Sequence, residues 1–337
     1  MSPLKNLFKF LKTPLTTEQF QRIDNFYLFK KKSFVVLIIL ISFAFFLIKM
    51  YPSLNIVKID DPSYYVAAIG IKKSVNIYEL STFPSLGEKV LGKSSNVLPY
   101  VYPPLLAEIF TIFSGLDYQT YTQILFFFNM LLSLLLLIGL FLLFHSEKHK
   151  SYFPTIFFFF LLNINTPVTR TIHNGQVNLL ILNLLIFAFF FYKNNKFLPS
   201  SFCLGLACLI KIFPLIFLLI FLAKKKIKYF IFFTMNSFLL VSVSILFYGE
   251  QIWRNYLVHF FQNFFGNKKT IFSLLYSSAI SNNSLRSFFN QLSQLYNLPA
   301  SLTSLVSLLL SILIFAATCF LLIKYKNNLT FSFSLLI

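Results

Sequence analysis

Charged side chains are scarce in this chain of 337 residues, since Asp, Glu, Lys and Arg together make up only 12% of it. A soluble domain carries about 25% charged residues and about 45–50% apolar ones. Here 57% of the residues are hydrophobic and the mean hydropathy is +0.74, which excludes a soluble enzyme and a disordered chain. The composition predicts an all-α polytopic integral membrane protein in which residues 1–337 form a single domain.

Cysteines and ligand-binding motifs are also in short supply. The three cysteines lie in apolar stretches without metal-ligand spacing, which excludes a disulfide scaffold. Two histidines at helical spacing, His145 and His149, have no third ligand nearby. No glycine-rich phosphate loop, Walker motif or dinucleotide fingerprint is present. We therefore expect no cofactor and no metal, and an enzyme of this kind would take a lipid-borne donor.

Seven apolar runs predict the membrane segments, because about twenty apolar residues cross a bilayer as a helix. The runs cover residues 33–50, 118–144, 152–166, 177–192, 197–223, 229–248 and 300–323. An eighth run begins near residue 329 and stops at Ile337. Since a complete span rarely stops after so few residues, we expect the chain to be a truncated product.

Basic residues outnumber acidic ones by 29 to 10, which gives a net charge of +19. On a soluble chain this excess would suggest nucleic acid, but in a membrane protein it predicts lysine-rich cytoplasmic loops and no nucleic-acid partner. The basic clusters are a cytoplasmic arm at 1–32, followed by 148–150, 193–196, 224–228 and 324–326. If each apolar run crosses the membrane once, successive loops alternate between the two sides. The first three clusters then lie in the cytoplasm, but 224–228 lies outside.

The conflict disappears if residues 197–223 form a re-entrant hairpin of two short helices. The centre of this run reads Lys211-Ile-Phe-Pro214, and proline breaks a helix because it lacks a backbone donor. Broken helices are tolerated in a membrane where they line a protein cavity. The alternative topology makes 103–114 a crossing and 197–223 a single span, which leaves two of the other basic clusters outside.

The hairpin topology leaves two long loops, 51–117 and 249–299, and a short turn, 166–176, on the outer face. Seven of the ten acids lie in these segments: Asp60, Asp61, Glu79, Glu88, Glu108, Asp117 and Glu250. Asp60 and Asp61 are adjacent, and their repulsion predicts a raised pKa for at least one of them, which suits a general base. They also resemble a helix start, with Asp61 as N-cap before Pro62. The two interpretations, a general base and a helix start, are compatible if Asp61 caps the helix while Asp60 points into a cavity.

Further polar residues lie within apolar runs or at their edges, where burying a polar group costs free energy. Lys211 lies about thirteen residues from either end of its apolar run, too deep for easy snorkelling. It should therefore face a cavity, where a phosphate is a natural counter-charge. Residues 170–178 gather polar groups at the edge of a span, which is typical of functional sites and of headgroup contacts. Tyr102 lies in a rigid Pro-rich turn that also suits a membrane-surface anchor.

Six short motifs follow one another between residues 60 and 285. They are Asp60-x-x-x-Tyr64-Tyr65-x-Ala67-Ala68, Tyr102-Pro103-Pro104-Leu105, Asn174-Gly175-Gln176-Val177-Asn178, Gly205-Leu206-x-x-x-x-Lys211-x-x-Pro214, Trp253-Arg-x-Tyr256 and Asn282-Asn283-Ser284-Leu285. Together they resemble the motifs of the polyprenol-phosphate-mannose-dependent mannosyltransferases of glycosyltransferase family 87, in the GT-C fold class. Asp61 departs from the family, which usually has an aromatic or aliphatic residue there. The choice of base stays open, and we favour Asp60 because its spacing to the tyrosines fits.

The resemblance implies a GT-C-like bundle in the cell (cytoplasmic) membrane, with juxtamembrane helices in the outer loops. It implies a glycosyltransferase that moves a hexose, expected to be mannose, with inversion from a polyprenyl phosphate donor. The acceptor would be a hydroxyl of a glycolipid or glycan at an outward-facing site. Two alternatives stay open: a polytopic transporter or flippase for lipids or small molecules, and an inactive truncated homologue.

The resemblance also assigns roles to individual residues. Asp60 would be the base, with Asp61 assisting it or capping the helix. Lys211 and Arg170 would bind the donor phosphate. The residues implied to bind sugar or acceptor are Tyr64, Tyr65, Tyr102, His173, Gln176, Asn178 and Asn283.

Overall fold

The computed structural model describes residues 32–55, 58–79, 81–92, 97–144, 166–265, 296 and 299–324, which contain helices and no strands. The α-helices are α1 Lys32–Met50, α2 Asp61–Lys72, α3 Phe83–Leu91, α4 Pro104–Phe110, α5 Tyr118–Phe144, α6 Thr166–His173, α7 Asn178–Lys193, α8 Phe197–Ile210, α9 Leu218–Ala223, α10 Ile227–Tyr248, α11 Gln251–Phe265 and α12 Ala300–Lys324. Four stretches of this described part are long and apolar enough to cross a membrane: Val36–Leu54, Tyr118–Leu140, Ile227–Tyr248 and Leu305–Lys324. The predicted all-α polytopic fold is confirmed.

Most of the predicted apolar runs are helices with nearly the predicted bounds. The runs that became α1, α5, α10 and α12 begin and end within two residues of the prediction. The run 177–192 became α7, a shorter apolar helix. The juxtamembrane helices expected in the first outer loop are α2, α3 and α4. The arm before Lys32, the run 152–166 up to residue 165 and the run after 329 lie outside the described residues.

The described helices fall into two compact units. One draws on residues 1–57 and 123–179, and the other on 58–122 and 180–337. The first turn of α5, up to Thr122, belongs to the second unit.

In the first unit, α1 continues into a 3-10 turn, Tyr51–Asn55, and packs against α6. The segment 166–176 was predicted as a short turn, but most of it is α6. The helix ends at a glycine: Gly175 has φ +68°, and the amide of Gln176 donates to the carbonyl of Thr171 at 2.8 Å. A left-handed residue just after a helix is favoured as glycine, which accounts for the glycine of this motif.

In the second unit, the chain breaks between α8 and α9. Helix α8 ends at Ile210, and Lys211 is extended, with φ −152° and ψ 132°. A 3-10 helix, Phe213–Phe217, follows with Pro214 in its first turn and leads into α9. The break therefore precedes the proline by three residues, and the lysine itself is the extended residue.

The two ends of the segment 197–223 meet, as a hairpin requires. The ring of Tyr192 lies 5.5 Å from that of Phe197 and 4.8 Å from that of Phe221. Phe221 stacks on Tyr229 at 3.7 Å, and the hydroxyls of Ser200 and Tyr229 are 3.0 Å apart. A continuous helix would hold residues 197 and 223 about 39 Å apart. The predicted pair of short helices with meeting ends is confirmed, and its re-entrant placement in the membrane stays a prediction.

The alternative topology, in which 197–223 was a single span, is wrong. It also required 103–114 to cross the membrane. The apolar helical stretch there, Pro104–Phe113, has only ten residues, whereas a crossing needs about twenty.

Small and polar residues let α8 approach α10 closely. A Cβ added at Gly205 would lie 3.0 Å from the hydroxyl oxygen of Ser237. The amide of Asn236 donates to the hydroxyl of Ser201 at 2.8 Å. Small residues and interhelical hydrogen bonds are the usual means of close helix packing in membranes, so this contact fixes the hairpin against α10.

The hairpin predicts that the loops at 193–196 and 224–228 lie on the same side of the membrane. We would place single cysteines at Lys196 and Lys226, after replacing Cys203, Cys208 and Cys319. Both should react with a membrane-impermeant thiol reagent from the same side, because both flank the base of the hairpin. Permeabilised membranes give the total reactive thiol as a control. Reaction from opposite sides would contradict the hairpin.

Candidate active site

The paired carboxylates lie at the start of α2. The helix begins at Asp61, and Pro62 is its second residue. Asp60 occupies the N-cap position, and its carbonyl accepts from the amide of Ser63 at 3.1 Å, but its side chain makes no capping hydrogen bond. The prediction that Asp61 would be the N-cap is wrong by one residue. Asp61 is 0% exposed, whereas Asp60 is half-buried.

Asp61 is fully buried within the second unit. Its Oδ1 accepts a 2.7 Å hydrogen bond from the hydroxyl of Tyr118, and its Oδ2 is buried with no hydrogen-bond partner among the described residues. Lys58, 5% exposed, acts on it electrostatically. Burial raises the pKa of Asp61 to about 7, against the lowering effects of Tyr118 and Lys58. The predicted raised pKa is confirmed, but the adjacent charge of Asp60 is only a lesser cause.

Asp60 faces a different set of groups. Its charge acts electrostatically on Lys211, the extended residue at the hairpin break. The ammonium of Lys211 lies 5.4 Å from the centre of the Tyr102 ring and 5.8 Å from that of Phe213. Lysine over an aromatic face is a favourable arrangement. Three segments far apart in the chain therefore supply an acid, a ring and a cation to one place.

Buried tyrosines hold the Tyr102 turn in place. The hydroxyl of Tyr64 donates to that of Tyr102 at 3.2 Å. The hydroxyl of Tyr78 donates to the carbonyl of Tyr102 at 2.8 Å. The hydroxyl of Tyr100 donates to the carbonyl of Pro103 and accepts from the amide of Ala107 at 3.0 Å. Together with the fixed φ of the prolines, these bonds leave the turn little freedom.

Tyr64 and Tyr65 lie behind the site rather than on its surface. Tyr64 is 0% exposed and stacks on Phe110 at 5.8 Å. Tyr65 is 5% exposed, its ring lies 5.0 Å from that of Tyr121, and its hydroxyl donates to the carbonyl of Leu116. Direct contact with a ligand would require these rings to be uncovered, so their arrangement favours a supporting role.

Glu108 is a buried acid that the sequence did not single out. Its Oε1 accepts from the hydroxyl of Ser244 at 2.7 Å, and Ser244 accepts from the indole of Trp253. Burial raises the pKa of Glu108. Hydrogen bonds from Trp253 and Ser244 therefore connect α11 and α10 to α4. The ring of Tyr256, in the same motif as Trp253, lies 5.5 Å from that of Tyr78.

Four predicted site residues belong to the first unit. Arg170 is exposed on α6, and the hydroxyl of Ser53 lies 3.5 Å from Nδ1 of His173. The amide of Asn178 donates to the amide oxygen of Gln176 at 2.7 Å. Asn283, the predicted acceptor ligand, lies outside the described residues.

The fold and the site define an integral membrane protein in which an acid and a cation from distant segments converge. The family model of glycosyltransferase family 87 matches residues 100–337, more than two thirds of the chain. The chain belongs to glycosyltransferase family 87. The match includes Tyr102 and Lys211, whereas Asp60 and Asp61 precede it. No curated protein and no solved structure matches the chain.

The buried Asp61 makes stability depend on pH. Its pKa is raised from 3.8 to about 7, so the fold favours the protonated acid. Its contribution to stability is fully present below the unfolded pKa and is lost as the pH rises through about 7. We expect the thermal midpoint in detergent to fall between about pH 4 and pH 7, and to fall less in Asp61→Asn. The exposed Glu88→Gln should keep the wild-type slope, and an unchanged slope in Asp61→Asn would contradict the assignment.

Proposed function

We propose that this glycosyltransferase moves a hexose, expected to be mannose, from a polyprenyl phosphate to a hydroxyl of a glycolipid or glycan, with inversion. The observation that carries the proposal is the meeting of Asp60, Tyr102 and Lys211 in one unit. The proposed reaction needs a base at the acceptor hydroxyl and charge stabilisation at the leaving phosphate. An acid beside a cation suits these two needs. The family and the all-helical membrane fold support a GT-C-like arrangement.

In the proposed step, Asp60 takes the proton of the acceptor hydroxyl as its oxygen attacks the anomeric carbon of the donor. The bond between that carbon and the phosphate oxygen breaks, and the phosphate leaves with the electron pair. The attack comes from the side opposite the phosphate, so the anomeric configuration inverts. A phosphate is already a good leaving group, so the step needs no strong general acid.

Lys211 is proposed to hold the leaving phosphate. It is half-buried at the break of the hairpin, where an anionic group offers it a counter-charge in a low-dielectric setting. Arg170 is proposed as a second phosphate ligand, because it is exposed and carries a permanent charge. Tyr102 is proposed to contact the sugar, while Tyr64 and Tyr65 support it from behind.

Four residues of the resemblance remain proposed ligands of sugar or acceptor: His173, Gln176, Asn178 and Asn283. The hydrogen bond between Gln176 and Asn178 supports a shared polar surface. Amide side chains with paired donors and acceptors suit sugar hydroxyls.

The hairpin supports an outward-facing site in the cell membrane. Its base carries the lysines of 193–196 and 224–228, which the positive-inside rule assigns to the cytoplasm. Lys211 lies fourteen residues along α8 from Phe197, or about 21 Å away. That length takes the lysine through much of the hydrocarbon core, of about 30 Å, toward the outer leaflet. A polyprenyl phosphate in that leaflet could present its phosphate there.

The test is transfer of labelled hexose from a polyprenyl phosphate hexose by purified protein in proteoliposomes. Asp60→Asn should lose about 100-fold or more in kcat, the usual contribution of a general base. Lys211→Met should lose a comparable factor, as expected on removing a group that stabilises a leaving phosphate.

Matched controls are Glu88→Gln and Lys196→Met, which alter exposed residues of the same charge. Both should keep wild-type rates. Wild-type activity in Asp60→Asn would refute its role as base. Transfer from a soluble nucleotide sugar, with none from the lipid donor, would refute the donor class.

A further inference from the structure

We propose that a groove between α9 and α12 binds one anionic glycerophospholipid, with an acyl chain between the two helices and the phosphate at Lys225. Both helices belong to the second unit. The groove lies at the base of the hairpin, at the other end from Lys211, so its ligand is independent of the proposed transfer reaction.

The groove is apolar and open. Its volume is about 400 Å³, within the range of about 300–1,000 Å³ that is usual for small-molecule pockets. The residues of its two walls are Leu219, Leu222, Ala223, Cys319, Leu322 and Ile323. Leu222 and Ile323, one on each wall, are 56% and 62% exposed, so the groove is accessible from outside the protein. The stretch Leu305–Lys324 of α12 is long and apolar enough to cross a membrane, and walls of this kind suit an acyl chain.

A lysine lines the same groove. Lys225 is exposed and forms no ion pair with any residue that the structure describes. A cation beside apolar walls complements a lipid whose phosphate follows directly on its acyl chains. Basic pockets between membrane helices are a common site for anionic headgroups. The charge and the apolar surface of the groove therefore point to one occupant, an anionic phospholipid.

This part of the chain has no carboxylate to serve as the counter-charge. No acidic residue lies between residues 148 and 249 or after residue 250. The acid nearest to Lys225 in the sequence is Glu250, which pairs with Arg254 at 2.9 Å. Helix α10 separates Lys225 from Glu250, and its 22 residues rise about 33 Å. An anionic headgroup supplies the negative charge that the hairpin base lacks.

The backbone at Lys225 is unusual for a lysine. Its φ is +52°, in the left-handed region. The amide of Lys225 donates to the carbonyl of Leu222 at 2.9 Å, and that of Lys226 donates to the carbonyl of Phe221 at 3.0 Å. These two bonds form a Schellman motif, which usually has glycine at the left-handed position. A lysine is a less favourable choice there, and a strained position of this kind is typical of a functional side chain.

The test is lipid retention by the purified full chain, measured by native mass spectrometry. The detergent contains equal amounts of phosphatidylglycerol and phosphatidylcholine with the same acyl chains. Wild type should keep one phosphatidylglycerol per chain. Lys225→Gly should weaken that retention about fivefold or more, and Lys225→Arg should preserve it because the charge remains. In lipid-free detergent, Lys225→Gly should unfold at or above the wild-type midpoint, because glycine favours this backbone.

The matched control is Lys226→Gly. Lys226 is exposed beside Lys225, does not line the groove, and occupies the N-cap position of α10, where glycine is well tolerated. Its removal should change retention by less than about twofold, since exposed charges contribute little. Ala223→Trp places a large side chain in the groove and should displace the lipid with every lysine still present.

Equal retention of the two lipids by wild type, or undiminished retention in Lys225→Gly, would overturn the proposal. Equal losses in Lys225→Gly and Lys226→Gly would also overturn it, because they would indicate a diffuse attraction to surface charge. Two further results would assign the groove to another occupant and overturn the proposal. Binding that appears only after truncation at Lys324 would assign it to the C-terminal segment of the chain, and a preference for added polyprenyl phosphate would assign it to the donor lipid.

Discussion

The helix break at Lys211 is the constraint on which the rest of the structure depends. Because α8 stops at Ile210, the chain reverses and the ends of the hairpin meet at Tyr192 and Tyr229. The same reversal leaves the lysine extended and half-buried at the tip, where an aromatic ring and the charge of Asp60 face it. A continuous helix would have spread the segment over about 39 Å, with its lysine in the middle of a span.

Tyrosine hydroxyls hold several parts of the described site in place. Buried hydroxyls of Tyr64, Tyr78 and Tyr100 hold the turn that carries Tyr102, and Tyr118 holds Asp61. A neutral donor satisfies a buried acceptor without adding a second charge to desolvate. This suits a membrane protein, because charged groups are costly to bury there.

Much of the fold was predictable from the sequence. Apolar runs mark the helices, and placing all the lysine clusters in the cytoplasm required the hairpin. The sequence also located the acid pair, Lys211 and Tyr102. It did not predict which acid is buried, because a shift of one residue in the start of α2 exchanges the two carboxylates. The buried acid, Asp61, accepts its hydrogen bond from Tyr118, 57 positions away in the chain. The burial of Lys58 and Glu108 likewise depends on tertiary packing, and the sequence alone marks them as ordinary loop residues.

We propose that Asp60 and Lys211 act on opposite ends of the bond that breaks in a polyprenyl phosphate sugar. The most direct measurement is a structure of the protein with a non-transferable phosphonate analogue of that donor. We expect a phosphonate oxygen about 3 Å from the ammonium of Lys211, with the anomeric carbon turned toward Asp60. A phosphonate bound away from Lys211, or a sugar with Asp60 out of reach of its anomeric carbon, would contradict it.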